Sequence, residues 1–116
     1  MPLVRLEVSV PLAPDARERL GRELSRACAE IIGKPETYVM AIVADGVTML
    51  HAGEPGPAAF VDVRSIGGLS AAVNEKLSAR LCALVAETAG VATARIYLNF
   101  TSVAGASWGH DGTTFG

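Results

Sequence analysis

Pro2 is the first candidate for catalytic chemistry, because removal of Met1 would leave its ring nitrogen as a free secondary amine. A free α-amino group titrates near ~7.7–8.0 and must have its pKa lowered to act as a base at neutral pH. An apolar wall and a nearby cation both lower that pKa, since both disfavour the protonated amine. A Met-Pro start is common, so it indicates a proline base only together with other motifs.

Two further motifs contain residues that could do chemistry. Gly33-Lys34-Pro35 presents a lone lysine, although these residues are also typical of the end of a helix. Residues 64–68 run from a strand into a glycine-bounded helix start, where free backbone N–H groups can bind an anion. Ser65 and Ile66 lie in the motif at residues 64–68. The alternative explanation is that these are ordinary residues of a strand end with no role in binding.

A fourth motif, at residues 96–100, combines apolar side chains with two polar ones. The alternation places Tyr97 and Asn99 on the same face of a predicted strand. Both side chains can donate hydrogen bonds to a substrate oxygen. As with the preceding motif, the alternative is that these are ordinary polar residues of a strand.

The elements that position these groups follow from the apolar periodicity. Residues 3–10 alternate and predict a strand with one buried face. A helix should begin near Pro14, since proline is tolerated in a first turn, and end at Gly33. Residues 39–45 predict a second strand, closed by a turn at Asp45-Gly46.

The second half of the chain repeats this order, with a strand at 59–66, a helix at 70–89 and a strand at 95–102. Residues 47–58 read as a loop with a short edge strand at 49–52, and the tail at 106–115 as a short hairpin. The predicted apolar stripes are Val4, Leu6, Val8 and Val10; Leu20, Leu24, Ala27, Cys28 and Ile31; Ala59, Val61 and Val63; Val73, Leu77, Leu81, Leu84 and Val85; and Ile96, Leu98 and Phe100.

This order predicts an α+β fold in a single domain of residues 1–116. Two β-α-β units form a β-α-β-β-α-β pseudo-repeat, and they imply a four-stranded mixed sheet with two helices on one face. The uncovered face would carry Arg5 and Glu7 with Tyr97 and Asn99, mixed with Leu3. One explanation is that this face is solvated. The other is that it faces further copies of the chain around a symmetry axis, and for that reason we expect a homotrimer.

Composition excludes several classes of protein. The chain has 116 residues, half of them hydrophobic, and a net charge of −2. It has no basic cluster for a nucleic acid, no apolar run for a membrane span and no apparent signal peptide. Cys28 and Cys82 read as small apolar residues of helices rather than a disulfide, which fits a reducing, cytoplasmic compartment. No residue cluster has the spacing of metal ligands, and no cofactor is expected.

Taken together, the motifs resemble the macrophage migration inhibitory factor and D-dopachrome tautomerase family. The resemblance covers essentially the whole chain, in matching order and spacing. It is carried by Met1-Pro2-Leu3, Gly33-Lys34-Pro35, Ser65-Ile66-Gly67, Leu81-Cys82, Arg95 to Asn99 and Thr114-Phe115. It implies a homotrimeric isomerase of the phenylpyruvate or dopachrome tautomerase type, with active sites between subunits.

The resemblance also implies roles for individual residues. Pro2 matches the family's catalytic base, Lys34 a catalytic and substrate-binding residue, and Tyr97 a catalytic residue contributed by the neighbouring subunit. A small α-keto or enol carboxylate would be the substrate. Further positions implied to contact it are Ser65, Ile66 through its backbone N–H, Asn99, Tyr38, Phe115 and His110.

Two departures from the family pattern bear on function. Some relatives carry Cys-x-x-Cys where this chain has residues 58–61, Ala-Ala-Phe-Val, so thiol–disulfide oxidoreductase activity is not expected. His110 stands where tryptophan is frequent, with Trp108 two residues earlier. This histidine is either a titratable group at the pocket rim or a solvated loop residue.

Two other functions stay open. The chain could be a cytokine-like protein that binds a cell-surface receptor after release without a signal peptide, with a vestigial tautomerase site. It could also be a small α+β ligand-binding module whose N-terminus has no reactivity towards α-keto acids. A Pro2 variant that is inactive as a tautomerase yet fully active in a receptor assay would favour the cytokine-like protein.

Overall fold

The computed structural model describes all 116 residues. Its elements confirm the predicted β-α-β-β-α-β order and the hairpin in the tail. In chain order they are β1 (Pro2–Val8), α1 (Pro14–Ile32), β2 (Met40–Ala44), β3 (Ala59–Ser65), α2 (Ala71–Ala89), β4 (Ile96–Ser102), β5 (Gly109–His110) and β6 (Thr113–Thr114). Neither long helix combines the length and the apolar character that crossing a bilayer requires.

The main sheet has the order β2-β1-β3-β4. β1 runs parallel to β2 and antiparallel to β3, while β3 and β4 are parallel, which confirms a mixed sheet. The register pairs Pro2 with Ser65 and Leu3 with both Met40 and Arg64. The start of β1 therefore lies between two neighbouring strands, in the interior of the sheet.

Both helices pack on one face of this sheet and against each other, as predicted. Alternation buries every second residue of β1 and β3 in the core, because successive strand side chains point to opposite faces. Cys28 is buried in this core and Cys82 is half-buried on α2, and both are free thiols. The buried cluster includes Val4, Leu6, Val8, Leu20, Leu24, Ala27, Cys28, Ile32, Val61, Val63, Leu77, Leu81 and Val85.

The helix ends follow their sequence signals. Pro14 occupies the first turn of α1, and Gly33 ends it at φ +81° with its N–H bonded to Ala29. Ser70 caps α2 by accepting a hydrogen bond from the Val73 N–H at 3.2 Å. At the end of the predicted stripe on α1, Ile31 packs against the core but is only partly buried, and the neighbouring Ile32 is the buried residue.

The predicted edge strand at residues 49–52 was wrong. His51 and Glu54 form only an isolated bridge around a tight turn, with positive φ at Ala52 and Gly53. β1 ends at Val8 rather than Val10, and β4 begins at Ile96 because residues 93–95 form a 3-10 turn. Such local turns set the strand ends, which alternation alone does not define.

Asp45 links the end of β2 to the start of α1 through hydrogen bonds of its side chain. Its Oδ2 accepts the Leu12 N–H at 2.7 Å, and its Oδ1 accepts Arg17 Nη1 at 2.9 Å. These bonds lower the pKa of the Asp45 carboxyl, chiefly through the Leu12 N–H and then through Arg17. The carboxylate thus satisfies a backbone donor in the linker between strand and helix.

The other face of the sheet carries no helix. Its polar side chains pair within a strand, Arg5 with Glu7 at 3.1 Å and Arg64 with Asp62 at 3.2 Å. Beside them, on the edge strand β2, stand apolar side chains, with Met40 62% and Ile42 40% exposed. A face that mixes internally paired charges with exposed apolar groups is more typical of an interface than of a solvated surface.

Candidate active site

Pro2 begins β1 and is fully buried beside Ser65 of β3. The turn after β3 continues towards the chain start, where the Ile66 N–H donates to the Met1 carbonyl oxygen at 3.4 Å. The ring of Pro2 therefore lies between the central strand pair and this turn. The structure brings together three predicted site residues here, Pro2, Ser65 and Ile66.

A cleft of about 450 Å³ opens beside Pro2. Apolar and aromatic groups dominate its walls, and none of its lining side chains is a carboxylate. The predicted pocket residues Tyr38, His110 and Phe115 all line it. The complete lining is Met1, Pro2, Leu3, Tyr38, Met40, Arg64, Val103, Ser107, Trp108, Gly109, His110 and Phe115.

The amine at the chain start sits in surroundings that oppose its protonation. Burial lowers the pKa of the Met1 amine, and the charge of Lys34 lowers it further. Lys34 itself is not part of the cleft wall. Its Nζ lies 3.9 Å from the point where a Cβ on Gly67 would stand, so it approaches from the side of the turn.

Two glycines make that approach possible. Gly67 and Gly68 have φ of +71° and +82°, a conformation that L side chains rarely adopt. A Cβ on Gly68 would stand 2.6 Å from Ile32 Cγ2 and 3.2 Å from the Ile32 carbonyl oxygen. The end of α1, two residues before Lys34, is therefore packed directly on the turn after β3.

Ser65 supports this turn. Its hydroxyl is buried and donates to the Gly67 carbonyl oxygen at 2.7 Å. A hydroxyl can still accept one further hydrogen bond, but its proton is committed to the turn. Ser65 thus holds the turn in place, and the predicted substrate contact of its side chain stays a prediction.

The tail forms one wall of the cleft. The rings of His110 and Phe115 stack with centroids 5.7 Å apart and planes 19° from parallel. The Phe115 N–H donates to the carbonyl oxygens of Gly105 and Trp108, at 3.1 and 3.2 Å. His110 is exposed to solvent and also lines the rim of the cleft. Its position is therefore compatible with both interpretations, a group at the pocket rim and a solvated residue.

Tyr97 and Asn99 do not join this cleft within one chain. Ser102 of β4 is level with Ser65 and Pro2, and Tyr97 precedes it by five residues, about 17 Å along a strand. Tyr97 is 66% exposed and meets the edge of His51 at a centroid distance of 4.9 Å. Asn99 accepts from the Thr101 hydroxyl at 3.2 Å.

Sequence reasoning missed two prominent residues of the cleft wall, Arg64 and Met40. Both flank Leu3 across neighbouring strands, so they surround the entrance next to Pro2. The alternation that buries Ser65 places Arg64 on the open face, which was a usable signal. Their approach to Pro2 depends on strand order and register, which the sequence pattern alone leaves undetermined.

Comparison with known proteins gives a consistent result. The family described as Macrophage migration inhibitory factor (MIF) matches residues 1–116. Macrophage migration inhibitory factor of Meriones unguiculatus is 32% identical over 115 residues, 99% of each chain. D-dopachrome decarboxylase-B of Xenopus laevis is 32% identical, covering 97% of this chain and 96% of its own.

Solved structures agree with the sequence relatives. The macrophage migration inhibitory factor homologue from Prochlorococcus marinus has a TM-score of 0.93 at 38% identity, covering 98% of this chain and 99% of its own. The macrophage migration inhibitory factor-like protein from Entamoeba histolytica has a TM-score of 0.94 at 33% identity, covering 98% of both chains. On the fold, the full-length match and the cleft at the chain start, this chain belongs to the macrophage migration inhibitory factor family.

Proposed function

We propose that this protein is a keto–enol tautomerase of the phenylpyruvate or dopachrome type, which works as a homotrimer with Pro2 as its base after Met1 is removed. The observation that carries the proposal is the buried position of Pro2 next to an aromatic cleft, in surroundings that lower the pKa of the adjacent Met1 amine. A neutral secondary amine there is available to accept a proton at neutral pH. One relative, D-dopachrome decarboxylase-B, is named for a reaction on D-dopachrome, and this supports a proposal of chemistry on an enolisable substrate.

Removal of Met1 changes two groups at once. It moves the free amine to the Pro2 nitrogen, one residue further into the fold. It also removes the carbonyl oxygen that occupies the Ile66 N–H, so this donor becomes free for a substrate oxygen. Processing would therefore create both the base and a hydrogen-bond donor.

In the proposed reaction, the Pro2 nitrogen takes a proton from the carbon next to the ketone of an α-keto acid, which leaves an enolate. The enolate oxygen takes a proton from water to give the enol, and Pro2 releases its proton to solvent. In the reverse direction it returns a proton to that carbon. Lys34 holds the substrate carboxylate and keeps Pro2 neutral, while the Ile66 N–H and Asn99 donate to oxygens on which charge develops. Tyr38 and Phe115 of the cleft wall pack against the substrate side chain.

The homotrimer follows from the incomplete site and the open sheet face. Tyr97 and Asn99 lie on that face, far from Pro2 of the same chain. A symmetric ring would bury the exposed Met40 and Ile42 and carry Tyr97 of one copy to Pro2 of the next. Sedimentation at micromolar concentration tests this, and a stable monomer would contradict it.

The direct test combines mass analysis of the N-terminus with a phenylpyruvate tautomerisation assay. Pro2→Gly should lower kcat/KM by about 100-fold or more, because general-base catalysis contributes on that order. Pro11→Gly, at an exposed proline outside the cleft, is the matched control and should leave the rate within a factor of about two. A fully processed protein that interconverts no enol and ketone would refute the proposal.

The same variants separate the enzyme from a receptor-binding protein with a vestigial site. If the enzyme is the function, the Pro2→Gly chain should lose its biological activity together with tautomerisation. A Pro2→Gly protein that is catalytically dead yet fully active in a receptor assay would favour the receptor ligand.

A further inference from the structure

Arg64 is the cation of the cleft wall itself. It flanks Leu3 on the neighbouring strand and lines the same cleft as Pro2, whereas Lys34 lies outside the wall. None of the other lining side chains is acidic. An anionic group entering beside Pro2 would therefore meet a positive potential with no competing carboxylate in the wall.

Most of the hydrogen-bonding capacity of this guanidinium is unused. Its single bond within the chain runs from Nη2 to Asp62 Oδ2 at 3.2 Å. The Arg64 side chain is 52% exposed, while the Asp62 side chain is 15% exposed and lies behind it. Arginine presents five N–H donors in a fixed fork, which matches a carboxylate. The free edge of the fork can bind a carboxylate while the bond to Asp62 holds the side chain in position.

The rest of the cleft suits an aromatic or unsaturated body. Tyr38, Trp108 and Phe115 supply flat apolar surfaces next to Arg64. Lys34, on the side of the turn, and Arg64, in the wall, are two separate cations near the same proline. One ligand with an anion at each end would use both.

We infer that Arg64 is a specificity-determining residue that selects substrates with a second anionic group, that is, aromatic or unsaturated α-keto acids carrying a further carboxylate at the far end. This inference rests on the proposed tautomerase function and adds its substrate class. Arg64 acts through binding in this proposal, and it moves no proton.

The first test measures binding without catalysis. Trp108 is the single tryptophan of the chain and lines the cleft, so its fluorescence reports occupancy. The probes are phenylacetate and 4-carboxyphenylacetate, which differ by one carboxylate. The wild-type protein should bind the dianion about tenfold more tightly than the monoanion, as expected for one bidentate charged contact.

Arg64→Gln should abolish this preference, and Arg64→Lys, which keeps the charge without the fork, should retain part of it. Arg22→Gln is the matched control, because Arg22 is similarly exposed at 62% and bonds to the single carboxylate of Glu18, but lies on α1 away from the cleft. An unchanged dianion preference in Arg64→Gln, or equal affinity of the wild type for both probes, would overturn the inference.

A second arm measures kcat/KM for the enols of phenylpyruvate and 4-carboxyphenylpyruvate. The ratio of the two values should fall about tenfold in Arg64→Gln and stay unchanged in Arg22→Gln. A protein that prefers the dianion through Arg64 but tautomerises neither enol would refute the proposed function alone. A tautomerase whose ratio does not respond to Arg64 would refute the inference alone.

Discussion

The Ile66 N–H donates to the carbonyl oxygen of Met1 at an N···O distance of 3.4 Å. This bond closes the turn after β3 over the chain start, next to the buried ring of Pro2. The initiator methionine thus occupies the place that we assign to a substrate oxygen.

The terminal amine should titrate below its ordinary range, and Lys34 should contribute to that shift. Burial is the first cause of the lowered pKa and the charge of Lys34 is the second. Lys34→Gln should therefore raise the pKa of the amine without restoring the ordinary value, since burial remains. The rise of kcat/KM with pH should move to higher pH accordingly.

The measurement is a pH–rate profile, supported by NMR titration of the N-terminal residue. Lys76→Gln is the matched control, because Lys76 is the only other lysine and lies exposed on α2. A profile that responds equally to both substitutions, or to neither, would show that the charge of Lys34 does not act on the amine.

Sites between subunits predict complementation of two inactive variants. Tyr97→Phe should lower kcat by about 100-fold if this hydroxyl is an essential donor, and Pro2→Gly should lower it by a similar factor because a flexible primary amine replaces the amine of the rigid ring. After the two variants are mixed, unfolded and refolded together, roughly a quarter of the sites in a random cyclic trimer should combine Pro2 of one chain with Tyr97 of another. Phenylpyruvate tautomerisation should recover to about that fraction of the wild-type rate.

Each variant refolded alone is the control and should stay inactive. No recovery in the mixture, with trimers present by sedimentation, would place Pro2 and Tyr97 in the same chain's site or exclude Tyr97 from catalysis.

Gly68→Ala should destabilise the fold strongly. The new Cβ would stand 2.6 Å from Ile32 Cγ2 and next to the Ile32 carbonyl, in addition to the cost of a positive φ. We expect a loss of about 2–4 kcal/mol in the free energy of unfolding, from left-handed strain plus overpacking. Urea denaturation measures it.

Gly46→Ala separates the two causes. Gly46 also has a positive φ, +65°, but nothing lies within 4 Å of its Cβ position. It should lose only about 1 kcal/mol, the cost of the strained backbone. Equal losses for both variants would mean that the contact between α1 and the turn after β3 is not tight.

Asp45 should stabilise the protein in a pH-dependent way. Its pKa in the folded chain is lowered by the Leu12 N–H and by Arg17, so its contribution is present above the unfolded value of about 3.9 and is lost as the pH falls through the folded value. Asp45→Asn should therefore lower Tm at pH 7, and the difference from the wild type should shrink as the solution is acidified towards pH 3.

Thermal melts across this pH range test the sign. Glu75→Gln, at an exposed carboxylate of α2 without a hydrogen-bond partner in the chain, should leave Tm nearly unchanged throughout. A Tm difference for Asp45→Asn that grows on acidification would contradict the assigned cause.

Alternation and glycine signals were sufficient for the elements. The buried sets of β1 and β3 and the helix ends at Gly33 and Gly90 follow from local rules, and the structure confirms them. The conformation of the loop at residues 47–58 could not be predicted from these rules. Its turn depends on a positive φ at Ala52, which an alanine does not indicate.

The site was only partly predictable for a different reason. Pro2 is far in sequence from Ser65 and Ile66, and it meets them through the antiparallel register of β1 and β3. Arg64 enters the cleft through the same register, and Met40 through the parallel register of β1 and β2. Arg64 stood at the start of the motif at residues 64–68 without an assigned role, and Met40 belonged to no motif. The role of Lys34 stays a prediction because its side chain stands outside the cleft wall. The roles of Tyr97 and Asn99 stay predictions because one chain does not bring them to Pro2.

Both cysteine thiols have low reactivity for a structural reason, and this helps in the design of labelling experiments. Burial raises the pKa of the Cys28 thiol to about 12, and burial also raises that of Cys82. Reagents that attack thiolates will react slowly with both. A cysteine introduced at an exposed site of α2, such as Glu75→Cys, would then be the fast-reacting thiol. A fluorophore attached there can follow subunit exchange without any change to the natural cysteines.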